Sequence, residues 1–186
     1  MLRIAEVEIR RDIDPARLNP ISDEQAAAED GLDLNHDYFD VRDHAAGDLA
    51  DILEAESEIL TALEAENWDE GLADELVDQA YEDCSAIGPF DLGVGAAVIA
   101  LAAAGAIPIS SCNAGVIDGR HHAAEIPNIL FSVSAEGLPI ILRAATAADI
   151  GLINNDGYAE LFADRLPKFH DFARHIATML GAVGSS

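Results

Sequence analysis

Six side chains able to do chemistry fall between positions 112 and 125: Cys112, Asn113, Arg120, His121, His122 and Glu125. A cysteine beside an imidazole can form a thiolate–imidazolium nucleophile, with a polar third residue to orient the base. In that reading Cys112 attacks, His121 or His122 is the base, Asn113 or Glu125 is the orienter, and Arg120 binds an anionic substrate. The same stretch also supports a metal reading, in which Cys112, His122 and Glu125 ligate a zinc-like divalent ion. His122 and Glu125 are three apart and would face one ion from a single helical turn. Adjacent histidines on a strand point opposite ways, so His121 and His122 could share an ion only from irregular backbone. Neither a His-Glu-x-x-His nor a paired Cys-x-x-Cys pattern is present. The alternative to both readings is structural: Cys112 as a small apolar side chain at a strand end, and a solvated histidine pair. Ser110 and Ser111 lack a Gly-x-Ser-x-Gly elbow and read as strand hydroxyls.

The elements around this stretch follow from periodicity and turn chemistry. Leu2, Ile4, Val7 and Ile9 form an irregular apolar segment, expected as a strand. Ser22-Asp23-Glu24-Gln25 has the capping-box pattern, with a short helix ending at Gly31. A long helix is expected over 41–68, with Leu49, Ile52, Leu53, Leu60 and Leu63 on one face and Glu56 interrupting the stripe. A second helix carries Leu72, Leu76, Val77, Ala80 and Tyr81, and the two read as an acidic helical hairpin. Asp91 is placed to cap the apolar helix that ends near Gly105. That run is too short to span a bilayer. Strands follow at 107–112 and 128–134, and Pro139 opens a helix. Asn155-Asp156-Gly157 joins two strands as a hairpin turn. Asp164 is placed to cap a last helix with Leu166, Phe169, Phe172, Ile176 and Leu180 on one side. The expected class is α+β: an acidic N-terminal helical hairpin packed on a C-terminal α-β-β-α-β-β-α sheet-and-helix sandwich. Ile87-Gly88-Pro89 divides residues 1–86, acidic and mainly helical, from an α+β core over 87–186, as two domains or one composite.

Charge is distributed as unevenly as the reactive residues. The 186 residues carry a formal charge of −25. Residues 1–84 hold 26 acidic and 5 basic side chains, whereas residues 85–186 hold 9 and 5. Such a field repels nucleic acid and anionic membrane and favours basic partners or cations. Two cysteines, Cys84 and Cys112, make no disulfide framework, and no secretory pattern opens the chain, so a reducing cytoplasm is expected. Other features have plainer explanations. Gly93-Val94-Gly95 lacks the strand and third glycine of a dinucleotide fingerprint and reads as close helix packing. His170 and His175 read as surface or edge positions, and Trp68, the single tryptophan, as an anchor at a helix end.

Three functions are compatible with this pattern. The first is a soluble cytoplasmic binding or regulatory protein whose acidic helical region docks another, basic protein or a second copy as a homo-oligomer. The second is an enzyme or metal-binding protein built on Cys112, His121 and His122. The third is an acidic mimic of nucleic acid, since regularly spaced carboxylates can imitate a phosphate backbone.

Overall fold

The computed structural model describes residues 2–28, 40–42, 46–82, 90–115 and 124–183. Among these residues, six helices and a four-stranded antiparallel sheet give an α+β architecture. The helices are α1 (Asp23–Ala27), α2 (Ala46–Ala65), α3 (Glu70–Glu82), α4 (Gly95–Ala103), α5 (Leu138–Ala147) and α6 (Pro167–Leu180). The strands are β1 (Ile107–Cys112), β2 (Asn128–Ser132), β3 (Gly151–Asn155) and β4 (Tyr158–Phe162), in the order β1-β2-β4-β3. Among the described residues, no helix is long and apolar enough to cross a membrane. The boundary expected at Ile87-Gly88-Pro89 lies outside the described residues.

Cross-strand partners share a face of a sheet, so the register sorts the side chains. Ile129, Leu161 and Leu152 stand in one row, and Phe131 and Ala159 in the next. All five are fully buried and belong to the main core with Leu49, Ile52 and Leu53 of α2, Leu101 of α4, Ile141 of α5 and Phe169 and Phe172 of α6. The helices therefore cover one face of the sheet. On the other face Leu130, Ile153 and Glu160 are half-buried. There Gly151 sits beneath the ring of Phe162, where a Cβ would come within 2.3 Å of the ring. Asp156 and Gly157 turn the β3–β4 hairpin with φ of 47° and 91°, the left-handed pair that Asp-Gly accommodates.

Residues 2–21 differ from the strand expected at their start. Ala5, Val7, Ile9, Arg11 and Ile13 are half-buried while the residues between them are exposed, so the period of two is present. The segment nevertheless joins no ladder, because its backbone bonds go to scattered partners. Ala5 N–H donates to Asp164 O at 2.7 Å, Leu152 N–H to Arg10 O at 2.8 Å, and Asn19 N–H to Gly157 O at 2.7 Å. Ile21 N–H reaches Ser132 Oγ at 2.8 Å. The segment thus passes one end of the sheet, the free edge of β3 and then the opposite end, as a strap.

Helix starts divide the same way. Ser22 forms the expected capping box with Gln25. Asp91 and Asp164 do not supply the side-chain caps expected of them: α4 starts from Val94 and α6 from Leu166, each without a side-chain cap. Asp91 instead accepts from Asn113 N–H, and Asp164 lies 3.0 Å from Lys168 Nζ. Gly93-Val94-Gly95 does serve close packing, since a Cβ on Gly95 would meet the Phe90 side chain at 3.2 Å.

Candidate functional site

A β-bulge decides where Cys112 points. Pro108 pairs with Phe131, and the register then shifts before Ser110 pairs with Leu130, leaving Ile109 as the extra residue. An uninterrupted strand would keep 108, 110 and 112 on one side, under the helices. With the bulge, Ser110 and Cys112 stand beside Leu130 and Asn128 on the opposite face. Cys112 is accordingly a half-buried free thiol, and its Sγ accepts Ala114 N–H at 3.4 Å. The neighbouring Asn128 amide donates to Glu160 Oε1, and Asn155 donates to Glu160 Oε2, both at 2.9 Å.

Asn113 is committed to the scaffold. It is 5% exposed, its N–H donates to Asp91 Oδ2 at 3.1 Å and its Nδ2 to Leu92 O at 3.0 Å. Its Oδ1 accepts Gly115 N–H at 2.9 Å. These bonds tie the end of β1 to the approach to α4. The Arg3 guanidinium then bonds Ala114 O and, at 2.6 Å, Glu125 O. Arg3 therefore joins Ala114 to Glu125. Arg120, His121 and His122 lie within that span, outside the described residues, and Glu125 is exposed. Cys112 and Asn113 thus lie on one side of the Arg3 bridge and Glu125 on the other. Among the described residues, no three His, Cys, Asp or Glu side chains gather as a metal site. No local signal marks Arg3 as the clamp, because its partners are 111 and 122 positions away.

A second arrangement lies between α2 and α6. Glu56, which interrupts the apolar stripe of α2, is 1% exposed. Its Oε1 accepts Ala96 N–H and its Oε2 faces His170 Nδ1, both at 3.3 Å. A buried carboxylate costs several kcal/mol in desolvation unless paired, and this one is held by a ring whose side chain is itself only 12% exposed. His170 is thus a partner of the core, more enclosed than an edge position. It lines a cleft of about 380 Å³ together with Leu2, Leu60, Trp68, Arg165 and Arg174. Beside it Lys168 Nζ lies 2.8 Å from Asp149 Oδ2. The hydrogen bond and charge of that ammonium hold the Asp149 carboxyl below the ordinary value of 3.8.

The third feature is the surface of α2 and α3. Residues 46–82 contain thirteen acidic side chains and no Lys, Arg or His. Asp48, Asp51, Glu54, Glu58, Glu64, Glu66, Asp69, Glu70, Asp74, Glu75 and Asp78 are exposed. The apolar residues of α2 are used internally: Leu49, Ile52 and Leu53 enter the main core, and Leu63 packs with Trp68, Ala73 and Leu92. No protein-family model, curated protein or solved structure matches the chain.

Proposed function

We propose that this chain is a soluble cytoplasmic binding or regulatory protein that docks a basic protein partner on the carboxylates of α2 and α3. The observation that carries the reading is the thirty-seven-residue stretch 46–82, with thirteen acidic side chains, no Lys, Arg or His of its own, and eleven of the carboxylates exposed. Carboxylates on a helix need no partner to be soluble, but interspersed cations normally temper their mutual repulsion. Here none does within the two helices. Complementary charge speeds encounter and sets specificity, so a basic surface on another protein is the occupant that fits. A nucleic-acid-binding surface is one such occupant, which brings the mimicry reading within this proposal.

The test is a charge-neutral variant with Asp51, Asp74 and Asp78 changed to Asn and Glu54, Glu58 and Glu75 changed to Gln. In-cell cross-linking followed by reconstitution with the purified partner is expected to map contacts onto 46–82. The variant is expected to melt no lower than the wild type and to lose about tenfold or more in affinity, and wild-type binding to weaken steadily with salt. A partner that holds the variant as tightly as the wild type would overturn the reading.

A further inference from the structure

We infer that the cleft between α2 and α6 is a binding site for a small molecule that carries one oxyanion, a carboxylate or a phosphate, on a short apolar part. The proposal is independent of the acidic docking face. Its first support is charge. Of the ten Lys and Arg in the chain, Arg165, Lys168 and Arg174 all line this one cleft, against Glu64 and Asp171. Lys168 is spent on Asp149 and Asp164, and Arg174 bonds Asp171. Arg165 makes no ion pair or hydrogen bond among the described residues, so its planar fork of donors is open to an oxyanion. At ordinary ionic strength the repulsion from distant exposed carboxylates is screened over about 10 Å, so the local cations decide.

The second support is His170. Its Nδ1 is held by the buried Glu56 carboxylate, and its Nε2 has no partner among the described residues although the ring is nearly enclosed. A carboxylate behind an imidazole fixes which nitrogen carries the proton and which way the ring faces. Held through Nδ1, the ring forms part of the wall of the cleft that Arg165 lines. An apolar pair of the same volume would serve the helix packing as well or better.

The third support is the backbone at Trp68. Asn67 and Trp68 have φ of 55° and 60°, two consecutive side-chain-bearing residues in the left-handed region. Such conformations are unfavourable for a bulky residue and persist where the surroundings over-determine them. Here they bring the indole against Leu63 and Ala73 and into the wall of the cleft, where Leu2 and Leu60 extend the apolar surface. The volume of about 380 Å³ suits a small ligand.

Trp68 is the only tryptophan, so its fluorescence reports on this cleft alone. The full chain is titrated with hexanoate, with hexyl phosphate and with hexanol as the neutral control. A saturable change with at least one of the two anions, and none with hexanol at the same concentrations, is expected; which anion acts identifies the oxyanion. Arg165→Ala, an exposed position, is expected to weaken binding about tenfold or more while leaving the melting profile unchanged. Glu56→Gln is expected to weaken it as well, through His170. Absence of saturation with both anions, an equal response to hexanol, or unchanged affinity in Arg165→Ala would overturn the proposal.

Discussion

Single atoms decide two features of this protein. Gly151 is the clearer case, because the Phe162 ring occupies the space where its side chain would grow. Gly151→Ala must displace that ring or the β3–β4 pairing, a form of overpacking that costs about 1–3 kcal/mol. Thermal unfolding is expected to fall by about 2–4 °C for each kcal/mol lost in a chain of this size; an unchanged melting temperature would show that Phe162 has room to move. Glu56 is the other case. The sequence marks it as a break in an apolar stripe, and the break is real, but its partner His170 is 114 positions away and no spacing rule connects them. An anomaly was legible at this residue, and its meaning was not.

At the level of elements, local chemistry was readable wherever the physics is local. The Ser22 capping box, the proline in the first turn of α5 and the Asp156-Gly157 hairpin all form as their spacing implies. The Asp91 and Asp164 caps do not: Asp91 accepts from Asn113 N–H, a partner twenty-two positions away that only the folded chain supplies, and Asp164 pairs with Lys168 four residues on. Likewise the strand at 107–112 was readable, but the face that Cys112 takes depends on the bulge in its pairing with β2. The position of the candidate thiol was therefore legible in sequence and its orientation was not. Arg3 is the element-scale consequence most open to experiment. It joins the exit of β1 to the entrance of β2 by charge-assisted bonds, each worth roughly 1.5–3 kcal/mol where well formed. Arg3→Ala is expected to raise amide hydrogen exchange at Ala114, Gly115 and the residues after Glu125, and to speed alkylation of Cys112. Unchanged exchange and alkylation would mean the clamp holds nothing. The thiol-based reading gains if Cys112 in the wild type is already labelled faster than an unfolded-chain thiol.

For the molecule as a whole, charge sets two opposing responses to acid. The formal −25 makes the native state repel itself, so partial protonation of exposed carboxylates relieves strain as pH falls from neutrality. Asp149 and Asp40 act in the other direction. Hydrogen bonds from Lys168 and from Arg42 lower their native pKa below 3.8. Their contribution is fully present above the unfolded value and is lost as pH falls through the lowered native one. Melting temperature is expected to rise on mild acidification and then to fall below about pH 4, with a shallower acid limb in Asp149→Asn. A monotonic decline from pH 7 would show that self-repulsion is negligible. The strap of residues 2–21 carries a consequence of another kind, for the order of synthesis. The side-chain bonds that tie it to the rest of the chain span 111 to 140 positions, from Arg3 with Ala114 to Asp14 with Asn154. At about 5–20 residues per second, translation leaves that segment without its partners for roughly 6 to 28 seconds. The stretch made before the sheet can be among the last to dock, and until it does the free edge of β3 stands open.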